Sequence, residues 1–272
     1  MKAKTVITAL CWTAIIYGAF VFGLFFAQRE LMYFPGYTKP SVDDIGIIGL
    51  EEIHVETEDG LKLFGWYKPS GDAKKKVIVW FHGNNSNVGW TATRAIPYMN
   101  AGYGVLLAEY RGYASNPGSP SEEGLYEDAR AFLKWLREDK GIGAGQIILY
   151  GESIGSGPAV KMAAEITDIA ALVLEAPFTS AAAVARIKYP FVPVERLMRD
   201  RYDNLSLIGG VEAPLVIAHG TRDTVVPYRL GKKLFDGAPG PKSLITVEGA
   251  GHNDLDGFGI ADKIMAALDG LE

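Results

Sequence analysis

The sequence has 272 residues and a formal net charge of −5, and it is 48% hydrophobic and 22% charged. That is enough chain for one large α/β domain with a well-buried core, or two small ones, and the composition excludes long disorder. Lys74-Lys75-Lys76 is the one basic cluster, which speaks against nucleic-acid binding, and the single cysteine, Cys11, excludes an internal disulfide framework.

The first element is apolar. From Thr5 to Ala27 there is no charged residue. As a helix rising about 1.5 Å per residue, that run is about 35 Å long, against roughly 30 Å for a bilayer core. A cleavable signal peptide would have a shorter apolar region and a small-x-small cleavage site, whereas this run ends in Phe25-Phe26-Ala27-Gln28. A buried helix of a soluble protein suits a run hydrophobic on all sides less well. The expectation is a transmembrane anchor over residues 1–28 that leaves the protein membrane-bound. Lys2, Lys4 and the α-amino group precede the span, while Arg29 and Lys39 follow it. This small excess leans the N-terminus toward the cytoplasm and the rest of the chain away from it.

Residues 29–50 read as a connector rich in Pro and Gly, and 51–272 as a single domain. Ile53–Thr57 and Leu61–Tyr67 alternate around Glu58-Asp59-Gly60, which predicts a hairpin. Val77-Ile78-Val79-Trp80-Phe81 is instead continuously apolar, as a strand buried on both faces would be. Strands are then predicted at 77–82, 104–109, 146–150, 171–175, 214–219 and 243–248. Helices are predicted at 88–100, 122–138, 154–165, 228–236 and 257–269. This alternation argues for a mostly parallel sheet with helices on both faces and the antiparallel hairpin at one edge. Residues 178–210 break the rhythm with two short helical pieces around Tyr189-Pro190-Phe191-Val192-Pro193, and read as a small cap insert over one end of the sheet.

The chemistry sits at the ends of the later strands. Ile147-Ile148-Leu149-Tyr150 runs into Gly151-Glu152-Ser153-Ile154-Gly155 and then an Ala-rich helix. This is G-x-S-x-G in its strand–turn–helix context. A serine hydroxyl is a weak nucleophile and must project toward a base, and the two glycines make room for the sharp turn that achieves this. A helix N-terminus also aims N–H groups at a developing oxyanion. The partners follow in the order acid, then base. One strand ends in His219-Gly220-Thr221-Arg222-Asp223, the next in Gly249-Ala250-Gly251-His252-Asn253. His252 is the candidate base and Asp223 the candidate acid. Glu175, which ends the strand after the nucleophile helix, is the alternative acid, while Asp254 lies too close to His252 in sequence.

The backbone N–H of Ile154 is one candidate oxyanion donor, and Asn84, in the loop Phe81-His82-Gly83-Asn84, the other. His82 reads as structural within that loop, and Arg111 as a structural ion pair. The four histidines show no ligand spacing, so neither a metal nor another cofactor is expected. Gly141-Ile142-Gly143-Ala144-Gly145 precedes a strand instead of following one, which excludes a dinucleotide loop.

Taken together these motifs resemble the α/β-hydrolase superfamily. Within it they resemble the membrane-anchored branch related to the bud-emergence protein of yeast and the α/β-hydrolase-domain-containing proteins of animals. The resemblance also rests on Leu31-Met32-Tyr33-Phe34-Pro35, Glu109-Tyr110-Arg111-Gly112-Tyr113, Glu175-Ala176-Pro177-Phe178 and Val226-Pro227. It implies an eight-stranded α/β-hydrolase fold, a Ser153–Asp223–His252 triad, and an active-site rim near Glu109–Tyr113. The palmitoyl-thioesterase members carry a Cys-rich N-terminus and this chain a hydrophobic helix, which counts against a peripheral depalmitoylase.

The expected function is a serine esterase that cleaves small-molecule or lipid esters of short to medium acyl chain. Tyr113, Phe178, Tyr189 and Phe191 are the candidate substrate contacts. A lipid or acyl-thioester hydrolase is the alternative within the class, and a catalytically inactive membrane-tethered interaction module the alternative outside it. A peptidase is disfavoured, since nothing marks a pocket for a peptide terminus. The fold alone does not specify the substrate.

Overall fold

Val77–Phe81 is buried at every position, as a strand covered on both faces must be. It is β3 of one eight-stranded sheet in this computed structural model, which describes residues 2–72 and 75–271. Before it come β1 (Glu51–Glu56) and β2 (Lys62–Lys68), and after it β4 (Gly104–Ala108), β5 (Ile147–Glu152), β6 (Ala171–Glu175), β7 (Leu215–Gly220) and β8 (Lys242–Val247). The order across the sheet is β1-β2-β4-β3-β5-β6-β7-β8. β1 and β2 form the expected antiparallel hairpin at one edge, β2 pairs antiparallel with β4, and every later pairing is parallel. The hairpin turns where Gly60, at φ +83°, lets its N–H reach the Thr57 carbonyl at 2.9 Å. Lys74 of the basic cluster lies outside the described residues, and Lys75 sits over the Tyr103 ring at 4.8 Å.

The helices are α1 (Lys2–Met32), α2 (Val42–Ile45), α3 (Val88–Asn100), α4 (Glu122–Asp139), α5 (Ser156–Glu165), α6 (Ala181–Lys188), α7 (Val194–Leu197), α8 (Asn204–Ile208), α9 (Tyr228–Gly237) and α10 (Ile260–Asp269). Asn87 caps α3 by accepting from Gly89 and Trp90 N–H, and Ser121 caps α4 through Gly124 N–H. α4, α5 and α9 pack a core on one face of the sheet, and α3 and α10 pack another on the opposite face.

Several boundaries differ from expectation. α1 does not stop at residue 28 but runs to Met32, because Gln28 and Arg29 bond the cap and Tyr33 N–H closes the last turn on the Arg29 carbonyl at 2.8 Å. The connector that follows contains the short α2. The cap insert holds three short helices where two were expected, since Asp203 starts an extra one by accepting from Ser206 N–H. Gly259, at φ +67°, delays the last helix to Ile260, after a short 3-10 turn over Leu255–Phe258. The stretch Ala3–Met32 is long and apolar enough to cross a membrane, with a mean hydropathy of 2.0 over its 18-residue apolar window.

Candidate active site

The sharp turn after β5 fixes Ser153. Its φ is +50°, a left-handed conformation that costs a non-glycine residue on the order of 1–3 kcal/mol. The neighbours over-determine it. A Cβ on Gly155 would sit 2.0 Å from the Phe81 carbonyl oxygen, and one on Gly151 would sit 2.6 Å from that of Gly155. The Ser156 hydroxyl then donates to the Ser153 carbonyl at 2.6 Å. A 3-10 turn over Ser153–Gly155 leads into α5, which therefore begins at Ser156 and not at residue 154.

Loops after β7 and β8 bring Asp223 and His252 to this turn. His252 Nε2 lies 3.0 Å from Ser153 Oγ, and His252 Nδ1 donates to Asp223 Oδ2 at 2.6 Å. Asp223 Oδ1 accepts from the N–H groups of Val225 and Val226, both at 2.8 Å. His219 Nε2 is shared between the Val226 carbonyl at 2.8 Å and Asp223 Oδ2 at 3.2 Å. Burial works to raise the Asp223 carboxyl, but the bonds from His219 and His252 outweigh it and hold the group well below the usual carboxylate range. Glu175 is committed elsewhere. It accepts from Arg94 at 2.7 Å and from the Tyr150 hydroxyl at 2.5 Å.

His82 is buried under the loop after β3. Its Nδ1 donates to the Gly83 carbonyl at 2.8 Å and its Nε2 to Glu109 at 2.9 Å. Burial opposes the charge, yet the Glu109 carboxylate prevails and raises His82 above its ordinary pKa of 6.5. In the same loop the Asn84 carboxamide is locked on every side. Its Oδ1 accepts from Phe34 N–H at 2.8 Å, Asn85 N–H at 3.1 Å and the Tyr113 hydroxyl at 2.8 Å, and its Nδ2 donates to the Met32 carbonyl at 2.6 Å. Arg111 is the expected structural ion pair, bonded to Asp59, Glu127 and Asp128.

Ser153 and His252 open onto a cavity of about 720 Å³, within the roughly 300–1,000 Å³ of small-molecule pockets. Asn84 and Ile154 lie on its wall with Ser153, and Phe178 and Tyr189 line it too. Tyr113 and Phe191 do not. Tyr113 is wholly buried with its hydroxyl spent on Asn84, and Phe191 is 86% exposed on the cap's outer tip. Two groups of lining residues escaped the sequence. One is Arg94 on α3, which bonds Glu152 at 2.6 Å, Glu175 at 2.7 Å and Asp256 at 2.7 Å. Burial raises the Glu152 carboxyl above its usual range in spite of Arg94. The other is the C-terminal half of α1 itself, from Val21 to Met32.

Comparison with known proteins agrees with this architecture. Residues 72–207 match the family described as serine aminopeptidase, S33. The uncharacterized protein Rv2307c of Mycobacterium tuberculosis is 37% identical over 98% of this chain and 96% of its own. Human alpha/beta hydrolase domain-containing protein 17B is 33% identical over 77% of this chain and 72% of its own. Among solved structures, the Pyrococcus furiosus esterase PF2001 has a TM-score of 0.71 at 20% identity, covering 88% of this chain and 96% of that one. An acetyl xylan esterase from Paenibacillus sp. R4 has a TM-score of 0.67 at 17% identity, covering 90% and 99%. The chain belongs to the α/β-hydrolase superfamily, a class of hydrolytic enzymes. Within that class it falls in the branch of the α/β-hydrolase-domain-containing proteins.

Proposed function

We propose that the protein is a serine hydrolase of carboxylic esters, anchored in a membrane by α1 with its catalytic domain on the non-cytoplasmic side. The observation that carries the reading is the unbroken hydrogen-bonded chain from Ser153 Oγ through His252 to Asp223, at 3.0 and 2.6 Å, opening onto an apolar cavity. Ser153 Oγ attacks the ester carbonyl carbon while its proton passes to His252 Nε2. The N–H groups of Ile154 and Asn84 receive the oxyanion. The intermediate collapses with cleavage of the acyl–oxygen bond, and His252 returns the proton to the leaving alcohol. Water then attacks the acyl-enzyme with His252 again as base, which frees the carboxylic acid and restores Ser153. Asp223 holds the His252 ring and offsets the charge it gains.

The esterase names of two structural neighbours support an ester over other acyl substrates. A peptidase acting at a free amino terminus would need a carboxylate to receive the ammonium group. The cavity's Glu152, Glu175 and Asp256 are all bonded to Arg94 instead. Labelling the full-length protein with a fluorophosphonate probe tests the proposal. The wild type is expected to label and Ser153→Ala to remain blank; no labelling of either sinks the enzyme reading and favours an interaction module.

A further inference from the structure

We infer that α1 is the outer wall of the acyl-binding cavity, so that the membrane helix itself sets which acyl chains are accepted and the chain of a membrane-dissolved ester enters along it. This rests on the ester-hydrolase reading above and specifies where that ester's acyl chain lies.

The lining of the cavity carries the inference. Val21, Leu24, Phe25 and Gln28 of α1 all face it. Their spacing is that of one helical stripe. Phe22 and Phe26, on the other side of the helix, are 66% and 60% exposed. Opposite the stripe stand Val184, Leu197 and Met198 of the cap, with Ser153 and His252 in the same cavity. Residues of α1, of the cap and of the strand-end loops line that space together.

Specific polar contacts hold the wall in place. The Tyr17 hydroxyl donates to the Phe191 carbonyl at 2.6 Å, and Gln28 Oε1 accepts from Arg199 N–H at 2.7 Å. Arg29 forks onto Asp200 at 2.7 and 3.0 Å, and the Arg199 guanidinium lies 4.5 Å from the centre of the Phe25 ring. The Tyr33 and Tyr202 hydroxyls bond at 2.8 Å among buried residues. A helix serving only as a tether would need none of these bonds.

The depth of these contacts identifies the ligand's source. A hydrocarbon layer of roughly 30 Å beginning at Thr5 ends near residue 24. Tyr17 and Val21 then lie within the apolar layer, Leu24 and Phe25 at its boundary, and Gln28 and Arg29 among the head groups. The cap tip that meets Tyr17 exposes Phe191 at 86% and Ile187 at 41%, apolar surface that suits that depth. The cavity therefore meets the bilayer along α1, and an acyl chain passes from lipid to Ser153 without crossing water.

The test uses full-length protein in detergent micelles with p-nitrophenyl esters from acetate to palmitate. Leu24→Trp fills the wall and is expected to lower the palmitate-to-acetate ratio of kcat/KM by about tenfold or more. Leu10→Trp, on the same helix outside the cavity, is expected to match the wild type. A Leu24→Trp profile superposable on the wild type overturns the inference. If that variant does not fold, Leu24→Ala serves in its place: by widening the cavity it must move the optimum to longer chains, and an unmoved optimum overturns the inference as well. Binding of a fluorescent fatty acid to Ser153→Ala protein reads the wall without catalysis. Weaker binding on adding Leu24→Trp supports it even if no ester is turned over, and unchanged binding refutes it. Failure of the hydrolase reading would show separately, as wild-type protein that neither labels with fluorophosphonate nor cleaves any ester.

Discussion

Replacing Asp223 with asparagine changes a single atom type, and the surrounding bonds dictate how the new side chain sits. Val225 and Val226 both direct N–H groups at Oδ1 from 2.8 Å, so the amide oxygen of asparagine takes that position. Its amino group is then forced toward His252 Nδ1, where a carboxylate oxygen accepted at 2.6 Å. Two donors cannot share that contact, so the ring turns to the tautomer with its proton on Nε2, facing Ser153 Oγ. The base is lost, and with it the partner of the imidazolium. The charge-assisted bond accounts for about 1.5–3 kcal/mol. The wrong tautomer adds enough to reach about 5.5 kcal/mol in comparable triads, a fall of about 10⁴ in kcat. The assay is p-nitrophenyl acetate hydrolysis, with kcat and KM measured separately and a thermal melt to show that the variant folds. KM is expected to change little. A folded Asp223→Asn enzyme within about tenfold of wild-type kcat, or a larger loss from Glu175→Gln, would refute the assignment of the acid.

Other perturbations test the support around the site. Arg94→Met leaves Glu152 and Glu175, with 20% and 3% exposed side chains, without their ion-pair partner, and is expected to cost about 3–5 kcal/mol in urea unfolding, partly recovered by adding Glu175→Gln. For His82, a folded pKa above the ordinary 6.5 means a contribution to stability that is full below 6.5 and lost as pH rises through the folded value. The stability gap between wild type and His82→Gln should therefore narrow as the pH rises above 6.5, and a gap that widens would reverse the sign. Asn84→Ala frees the loop from Met32, Phe34 and Tyr113 and is expected to lower kcat about 10–100-fold with KM nearly unmoved, because an oxyanion exists only along the reaction path. A change in KM alone would place Asn84 in ground-state binding.

Much of this was legible because it is written locally. A strand covered on both faces must be apolar throughout, so β3 stands out as Val77–Phe81 without any neighbour being known. Ser153, Asp223 and His252 each follow a strand of the parallel run, β5, β7 and the half-buried edge strand β8, and parallel strands deliver their C-terminal ends to one edge. Sequence order alone therefore brought the three together. Tyr113 and Phe191 failed for a physical reason of the opposite kind. Both are aromatic residues near the site, but their surroundings are set by distant partners: the Tyr113 hydroxyl bonds Asn84, and the main-chain carbonyl of Phe191 bonds Tyr17 of α1 while its ring stays exposed. Arg94 gave no signal because its carboxylates come from β5, β6 and the turn before α10, far apart in the chain.

The segment Leu31–Pro35 joins the two parts of the molecule that sequence patterns treat as separate. The Met32 carbonyl and the Phe34 N–H grip the Asn84 carboxamide from both sides, and the Tyr33 hydroxyl reaches into the cap at Tyr202. The loop that would supply an oxyanion donor is thus bonded to the last turn of the candidate membrane helix, roughly 50 positions earlier in the chain. The helix and the loop constrain each other: α1 cannot tilt far without pulling on Asn84, and Asn84 cannot move without releasing Met32. A feature that looks like an attachment in the sequence is therefore part of the rigid frame in which Ser153 holds its strained conformation.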